Sequence, residues 1–74
     1  MFPNKKVQEL VGSKIRIEMK GKKYVLEGML KSADDYLNLH VVNTVELLDG
    51  EKSRALGSVI IRGNNIIFIN PINE

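Results

Sequence analysis

The residues that most constrain this chain lie near its C-terminal end. Val59-Ile60-Ile61 and Ile66-Ile67-Phe68-Ile69 are apolar at successive positions. Successive side chains of a strand point to opposite faces, so both faces of these two strands are dry. Such strands need cover on both sides, and a long apolar edge pairs with whatever strand it meets. The whole chain has 74 residues, enough for a single domain spanning 1–74. A domain this short buries only about 60% of the surface its unfolded chain exposes. Small domains are commonly stapled by disulfides, a metal or partner subunits. There is no cysteine, and His40 is the only histidine, which removes disulfides and a Cys-based zinc site. Oligomerisation is the staple that remains. A ring, in which one subunit's last strand pairs with the next subunit's penultimate strand, covers the apolar faces and leaves no free edge. The alternative is a closed five-stranded barrel that stays monomeric around a small core.

The rest of the chain is mostly β. Residues 3–11 predict one short helix: Pro3 suits a first turn, Val7, Leu10 and Val11 recur at i, i+3, i+4, and Gly12 is a C-terminal stop. Residues 14–20 alternate strictly, with Ile15, Ile17 and Met19 dry and Lys14, Arg16, Glu18 and Lys20 wet. Lys20-Gly21-Lys22-Lys23 is a turn. A second strand over residues 24–32 places Tyr24, Leu26, Gly28 and Leu30 on one face and Glu27 and Lys31 on the other. Gly28 inside it predicts a sharp bend or a close backbone approach, as at a barrel corner. After Ala33-Asp34-Asp35, residues 36–47 predict a third strand. Leu37, Leu39 and Val41 form its dry face, with Tyr36, Asn38 and His40 on the other. A turn around Asp49-Gly50 leads to a fourth strand over residues 54–62. Gly63-Asn64 joins it to a fifth over residues 65–70, which Pro71 ends.

Several function classes are disfavoured. No apolar run approaches the roughly 18 residues that span a bilayer, and Met1 to Leu10 lacks the hydrophobic core of a signal peptide. A soluble, intracellular and cytoplasmic protein is expected, and the absence of cysteine fits a reducing compartment. Net charge is +2, a mild preference for an anionic partner that multiplies in a ring. No enzymatic constellation is visible. Ser32, Ser53 and Ser58 could each be drawn into a triad with His40, yet nothing fixes their geometry. Asp34 and Asp35 are adjacent and point apart in a strand. The glycine spacings match no nucleotide fingerprint. No catalytic residue, metal or cofactor is expected.

Two stretches carry more information. In Asp34-Asp35-Tyr36-Leu37-Asn38-Leu39, Tyr36 and Asn38 are two apart and share one strand face. A ring beside an amide suits a single-stranded base: one stacks, the other meets its hydrogen-bonding edge. In Ile61-Arg62-Gly63-Asn64-Asn65, a guanidinium precedes a tight turn and can stack on the base's second side or hold a phosphate. Gly63 lets the chain reverse, and Asn64 can bond the loop or a ligand. Either stretch alone is more often a surface pair or a solvated turn.

Together, in this order, they resemble the Sm and Sm-like (LSm) family in its short, archaeal form. Ser32-Ala33-Asp34-Asp35-Tyr36-Leu37-Asn38-Leu39, with Glu46 downstream, looks like the first Sm motif. Residues 56–66, including Ile61-Arg62-Gly63-Asn64, look like the second. The resemblance implies a small open barrel: a strongly bent five-stranded antiparallel sheet capped by a short N-terminal helix. It implies assembly into a homo-oligomeric ring, with seven subunits the first choice and six or eight the lesser options. It implies binding of uridine-rich single-stranded RNA around a central pore, as a chaperone or scaffold alongside other RNA-processing proteins. It places Tyr36 at the base-stacking position and Asn38 where the uracil edge is read. Arg62, Gly63 and Asn64 close the other side of the pocket, and Asp34 supports the Asn38 loop. Ala33 stands where the family usually has a bulky aromatic, a packing change. The Arg-Gly pair separates the chain from the bacterial Hfq branch. Asn4, Lys5 and Lys6 are candidates for a second RNA site on the helix face. A structural or protein-interaction ring with only non-specific RNA affinity is the competing reading. Under it, Tyr36 and Arg62 serve subunit contacts; the plainer structural readings have Asn38 capping its turn and Arg62 pairing with Glu46 or Glu51.

Overall fold

The computed structural model describes residues 4–72, so Pro3 lies outside the described residues. A short helix α1 (Asn4–Gln8) precedes five strands: β1 (Lys14–Met19), β2 (Tyr24–Ala33), β3 (Leu39–Leu48), β4 (Glu51–Ile61) and β5 (Ile66–Pro71). A single 3-10 turn, Gly63–Asn65, joins β4 to β5. All pairings are antiparallel, and the sheet runs β4-β3-β2-β1-β5.

The alternation predicted for the first strand holds. Ile15 and Ile17 are fully buried, and they pair with Gly28 and Leu26 on one side and Pro71 and Ile69 on the other. Leu30, Leu39 and Val41 complete the sealed centre. Each such side chain contributes about 1.5–3 kcal/mol by leaving water. Thr44 is buried among them, with its hydroxyl donating to the Val41 carbonyl at 3.2 Å, so no polar atom is stranded.

The sheet bends where the side chains permit. A Cβ on Gly28 would lie 2.7 Å from Val41 Cγ1 and 2.9 Å from the Val42 carbonyl oxygen. Only glycine allows β2 and β3 to approach this closely, the role its place inside the strand predicted. The β2–β3 register slips between Glu27 and Met29, and the β3–β4 register slips between Val41 and Thr44, where Asn43 takes φ 53°. Bulges of this kind curl a strand and sharpen its twist.

The structure corrects three boundaries. The helix stops at Gln8 rather than residue 11: Leu10 and Val11 donate three residues back, to Val7 and Gln8, so the chain tightens into turns before it joins the sheet. Gly12, at φ 90°, donates its N–H to the Leu30 carbonyl at 2.8 Å, and the Leu30 N–H returns to Ser13 at 3.0 Å. Val7 is buried against the sheet while Val11 is exposed. The fourth strand begins at Glu51, three residues before the expected Arg54, because Asp49-Gly50 alone makes the reversal, with φ of 54° and 81°. Positive φ at both turn residues matches the right-handed twist of a hairpin. The third strand begins at Leu39, not Tyr36.

β4 and β5 are the two edges of the sheet and do not pair with each other within the chain. The monomeric closed barrel is therefore not the fold. Large apolar side chains line these edges: Ile60 is 68% exposed, Ile67 45% and Phe68 53%. Covering what remains open on these three is worth about 3–4 kcal/mol, a large share of the marginal stability of a small domain.

Candidate nucleic-acid interface

The site forms where the loop between β2 and β3 meets the turn between β4 and β5. Asp34 organises the first of these. Its Oδ1 accepts the backbone N–H groups of Tyr36 and Asn38, each at 2.9 Å, and its Oδ2 accepts Asn38 Nδ2 at 3.0 Å. The main chain closes the same loop: Asp34 N–H donates to the Asn38 carbonyl at 3.1 Å, and Leu37 N–H donates to the Asp34 carbonyl at 3.0 Å. A short carboxylate that captures nearby amides competes with the β ladder. This is why the predicted strand gives way to a loop over residues 34–38. The same bonds favour the charged carboxylate, so Asp34 is held below its usual pKa of 3.8. The Asn38 backbone N–H contributes most, followed by its side-chain amide, with the Tyr36 N–H adding to them.

Leu37 takes a left-handed conformation, φ 62°, inside this loop. That conformation costs a bulky residue about 1–3 kcal/mol. Burial of the Leu37 side chain, only 9% exposed, offsets it with about 1.5–3 kcal/mol. Leu37 thus anchors the loop to the core while Tyr36, 83% exposed, is turned to solvent. Tyr36 and Asn38 do sit together, but in a loop rather than on the polar face of a strand as expected.

The second segment docks onto the first. Gly63 N–H donates to Asn38 Oδ1 at 3.1 Å. A Cβ on Gly63 would collide with the Tyr36 carbonyl oxygen and lie 2.8 Å from that of Leu37. Gly63 is needed here for space, since its φ lies outside the left-handed region. Arg62 and Asn64, on either side of it, are exposed. Arg62 forms no ion pair among the described residues, because Glu46 instead holds Arg54 at 3.5 Å and Glu51 holds no arginine. The five expected binding residues and Asp34 are therefore brought together by two loops distant in sequence.

The network fixes the Asn38 amide. Its oxygen faces Gly63 and its nitrogen faces Asp34, which leaves one N–H donor and one oxygen lone pair free, in a set order. Among the described residues the remaining candidates do not join them. His40 lies in β3 opposite Ile60, with Nε2 2.7 Å from Ser58 Oγ. Of the three serines considered, Ser58 is the one at hydrogen-bond distance, and no carboxylate among the described residues holds the ring's other nitrogen. Ala33 is partly buried against the core, and its carbonyl accepts Gln8 Nε2 at 2.6 Å. What sequence reasoning missed is the left-handed Leu37, since nothing in a leucine announces positive φ. It also missed the contact of the first hairpin with the 3-10 turn, where Lys20 N–H donates to the Asn65 carbonyl at 2.8 Å.

Comparison with known proteins agrees with this geometry. Residues 5–71 match the model of the LSM domain. An Sm-like protein from Archaeoglobus fulgidus superposes with a TM-score of 0.89 at 44% identity, covering 97% of this chain and 96% of that one. The Sm protein of Pyrococcus abyssii, solved in complex with a uridine heptamer, superposes with a TM-score of 0.87 at 25% identity over 97% and 100%. A heptameric archaeal Sm protein gives 0.83 at 26% identity over 93% and 98%. The helix-capped, bent and edge-open sheet, the two loops that meet at Asn38 and Gly63, and the match over residues 5–71 identify this chain as a member of the LSM-domain family of Sm and Sm-like proteins.

Proposed function

We propose that the protein is a non-enzymatic subunit of a homo-oligomeric ring that binds uridine-rich single-stranded RNA around its central pore. In this reading it serves as a chaperone or scaffold in RNA processing. The observation that carries the proposal is the fixed amide of Asn38, held between Asp34 and Gly63 beside a solvent-facing Tyr36. A uracil edge offers an N–H next to a carbonyl oxygen, and the free lone pair and N–H of Asn38 complement it. Cytosine reverses donor and acceptor at these positions, with an amino N–H beside an unprotonated ring nitrogen, so an amide free to flip would accept both. Asp34 and Gly63 prevent the flip. Tyr36 stacks on one side of the base, and Arg62, with Gly63 and Asn64, closes the other.

Ring formation follows from the two open edges. Pairing β5 of one subunit with β4 of the next would cover Ile60, Ile67 and Phe68. Seven subunits is the stoichiometry of the related heptameric archaeal protein, and the uridine heptamer bound by the Pyrococcus abyssii protein favours uridine as the base. Weak pockets repeated at fixed spacing then gain affinity from avidity.

The test is fluorescence anisotropy with labelled oligo-U, oligo-C and oligo-A at low and moderate salt, on protein sized by native mass spectrometry. A ring that prefers U, and keeps that preference as salt rises, supports the pocket. Equal binding of all three oligomers, lost together with salt, marks phosphate attraction alone and favours an interaction scaffold.

A further inference from the structure

We infer that the β1–β2 turn, Lys20-Gly21-Lys22-Lys23, is a phosphate-holding extension of the base pocket that guides the RNA backbone as it leaves. The inference rests on the proposed reading of the pocket. Three of the chain's eleven basic residues fall within this four-residue turn. Lys20, Lys22 and Lys23 are all exposed, and none forms an ion pair among the described residues. Asp49 and Glu51 sit on the neighbouring hairpin, since Tyr24 pairs with Leu48, yet neither neutralises them. A solvated charge run would be the ordinary reading of such a turn.

Its attachment argues otherwise. The Lys20 N–H donates to the Asn65 carbonyl at 2.8 Å, and Met19 pairs with Ile66. Asn65 closes the 3-10 turn by donating its N–H to the Arg62 carbonyl at 3.0 Å. A continuous path therefore runs from Asn38 to Lys20: Gly63 bonds to Asn38, the 3-10 turn carries the chain on to Asn65, and Asn65 accepts from Lys20. Lys20 borders the segment that carries Arg62, Gly63 and Asn64, and Gly21, at φ 67°, turns the chain so that Lys22 and Lys23 follow. A base seated at Tyr36 and Asn38 has a phosphate on either side of its sugar. Ammonium groups on flexible stems suit such a moving line of phosphates better than a rigid fork would.

The experiment measures the salt dependence of oligo-U heptamer binding to the assembled ring. Wild type is compared with Lys20→Gln/Lys22→Gln/Lys23→Gln and with a charge-matched control outside every candidate RNA site, Lys31→Gln/Lys52→Gln/Arg54→Gln. Each phosphate contact adds about 0.7 to the slope of log affinity against log salt for a single strand. The turn variant is expected to lose about 2 or more from that slope with its preference for U over A intact, and the control to lose less than about 0.7. Equal slope losses in both variants, or none in the turn variant, would overturn the inference by reducing the lysines to general charge. Loss of U preference in wild type would instead sink the pocket reading, so the two failures are told apart. Should the triple variant not form rings, Lys20→Gln alone is compared with Lys52→Gln, expecting about 0.7 less slope for the first only.

Discussion

Replacing Gly63 with alanine strikes the joint between the two loops of the proposed site. The new Cβ would lie 2.8 Å from the Leu37 carbonyl oxygen and 3.0 Å from its carbon, and it would collide with the Tyr36 carbonyl oxygen. These are backbone atoms of a loop held by Asp34, so no flexible tip can swing aside. Forcing extra volume into a packed contact costs about 1–3 kcal/mol. Pushing the Gly63 N–H away from Asn38 Oδ1 removes about 0.5–1.5 kcal/mol more. The expected total is about 2–4 kcal/mol, which for a domain of this size lowers Tm by at least about 10 °C. Thermal unfolding should be followed at several protein concentrations, because assembly adds concentration-dependent stability. Asn64→Ala, one exposed residue further on, should change stability by less than about 0.5 kcal/mol. Discrimination between oligo-U and oligo-C should fall in Gly63→Ala, since the amide keeps its Asp34 bond but loses the Gly63 donor that seats its oxygen. An alanine variant that melts within about 2 °C of wild type and still rejects oligo-C would refute the packing argument and the fixed-amide argument together.

Tyr36→Ala should leave the ring intact, because the side chain is 83% exposed and lies outside the core. It should weaken oligo-U binding by about 1–3 kcal/mol per stacked base, tenfold or more. Ring dissociation on native mass spectrometry would instead make Tyr36 a subunit contact. The Asp34 carboxylate predicts a pH dependence. Its folded pKa lies below the usual 3.8, so its stabilisation is complete above that value and is lost as pH falls through the folded one. U preference and loop order should therefore survive from neutral pH to about 4 and fail below it. Asp34→Asn should weaken U preference at neutral pH and flatten this acid limb; an unchanged limb would assign it to another carboxylate. Phe68→Asp places a charge on the β5 edge and should shift the assembly toward monomers at micromolar concentration. Persistence of a full ring would mean the β5 edge is not an interface.

Much of this was legible beforehand, and the misses share a cause. Alternation over residues 14–20 assigned Ile15 and Ile17 to the core because a half-buried strand leaves no other option. Gly28 was readable because a missing side chain inside a strand implies close approach. The helix was drawn too long because Val11 fits the helical period, but the Gly12–Leu30 and Leu30–Ser13 bonds take the chain elsewhere. The third strand shows the subtler failure. Leu37, Leu39 and Val41 are all buried, as the period of two required. Leu37 reaches the core from a left-handed loop, so the pattern survives although the strand does not. Periodicity reports which side chains are inside, and it says little about the backbone that puts them there. Asp34 decided that backbone. Its competition for three amides belongs to local side-chain chemistry rather than to any repeat. The meeting of Asn38 with Gly63, 25 residues apart, and of Lys20 with Asn65 depends on the curl of the whole sheet.

The separation of β4 and β5 to opposite edges of one sheet also has a consequence for symmetry. A protomer that presents β4 on one side and β5 on the other makes a head-to-tail, heterologous contact, and such contacts close only when the rotation per subunit divides a full turn. Seven subunits require about 51° and six about 60°, a difference of roughly 9°. In the proposed ring that angle depends on the curl of each protomer between its β4 and β5 edges, to which the close approach at Gly28 and the bulge at Asn43 contribute. Subunit number then depends on the monomer's curvature as well as on the side chains that touch between subunits. A mutation deep in the sheet, far from any interface, could convert one closed ring into another or open it into a spiral.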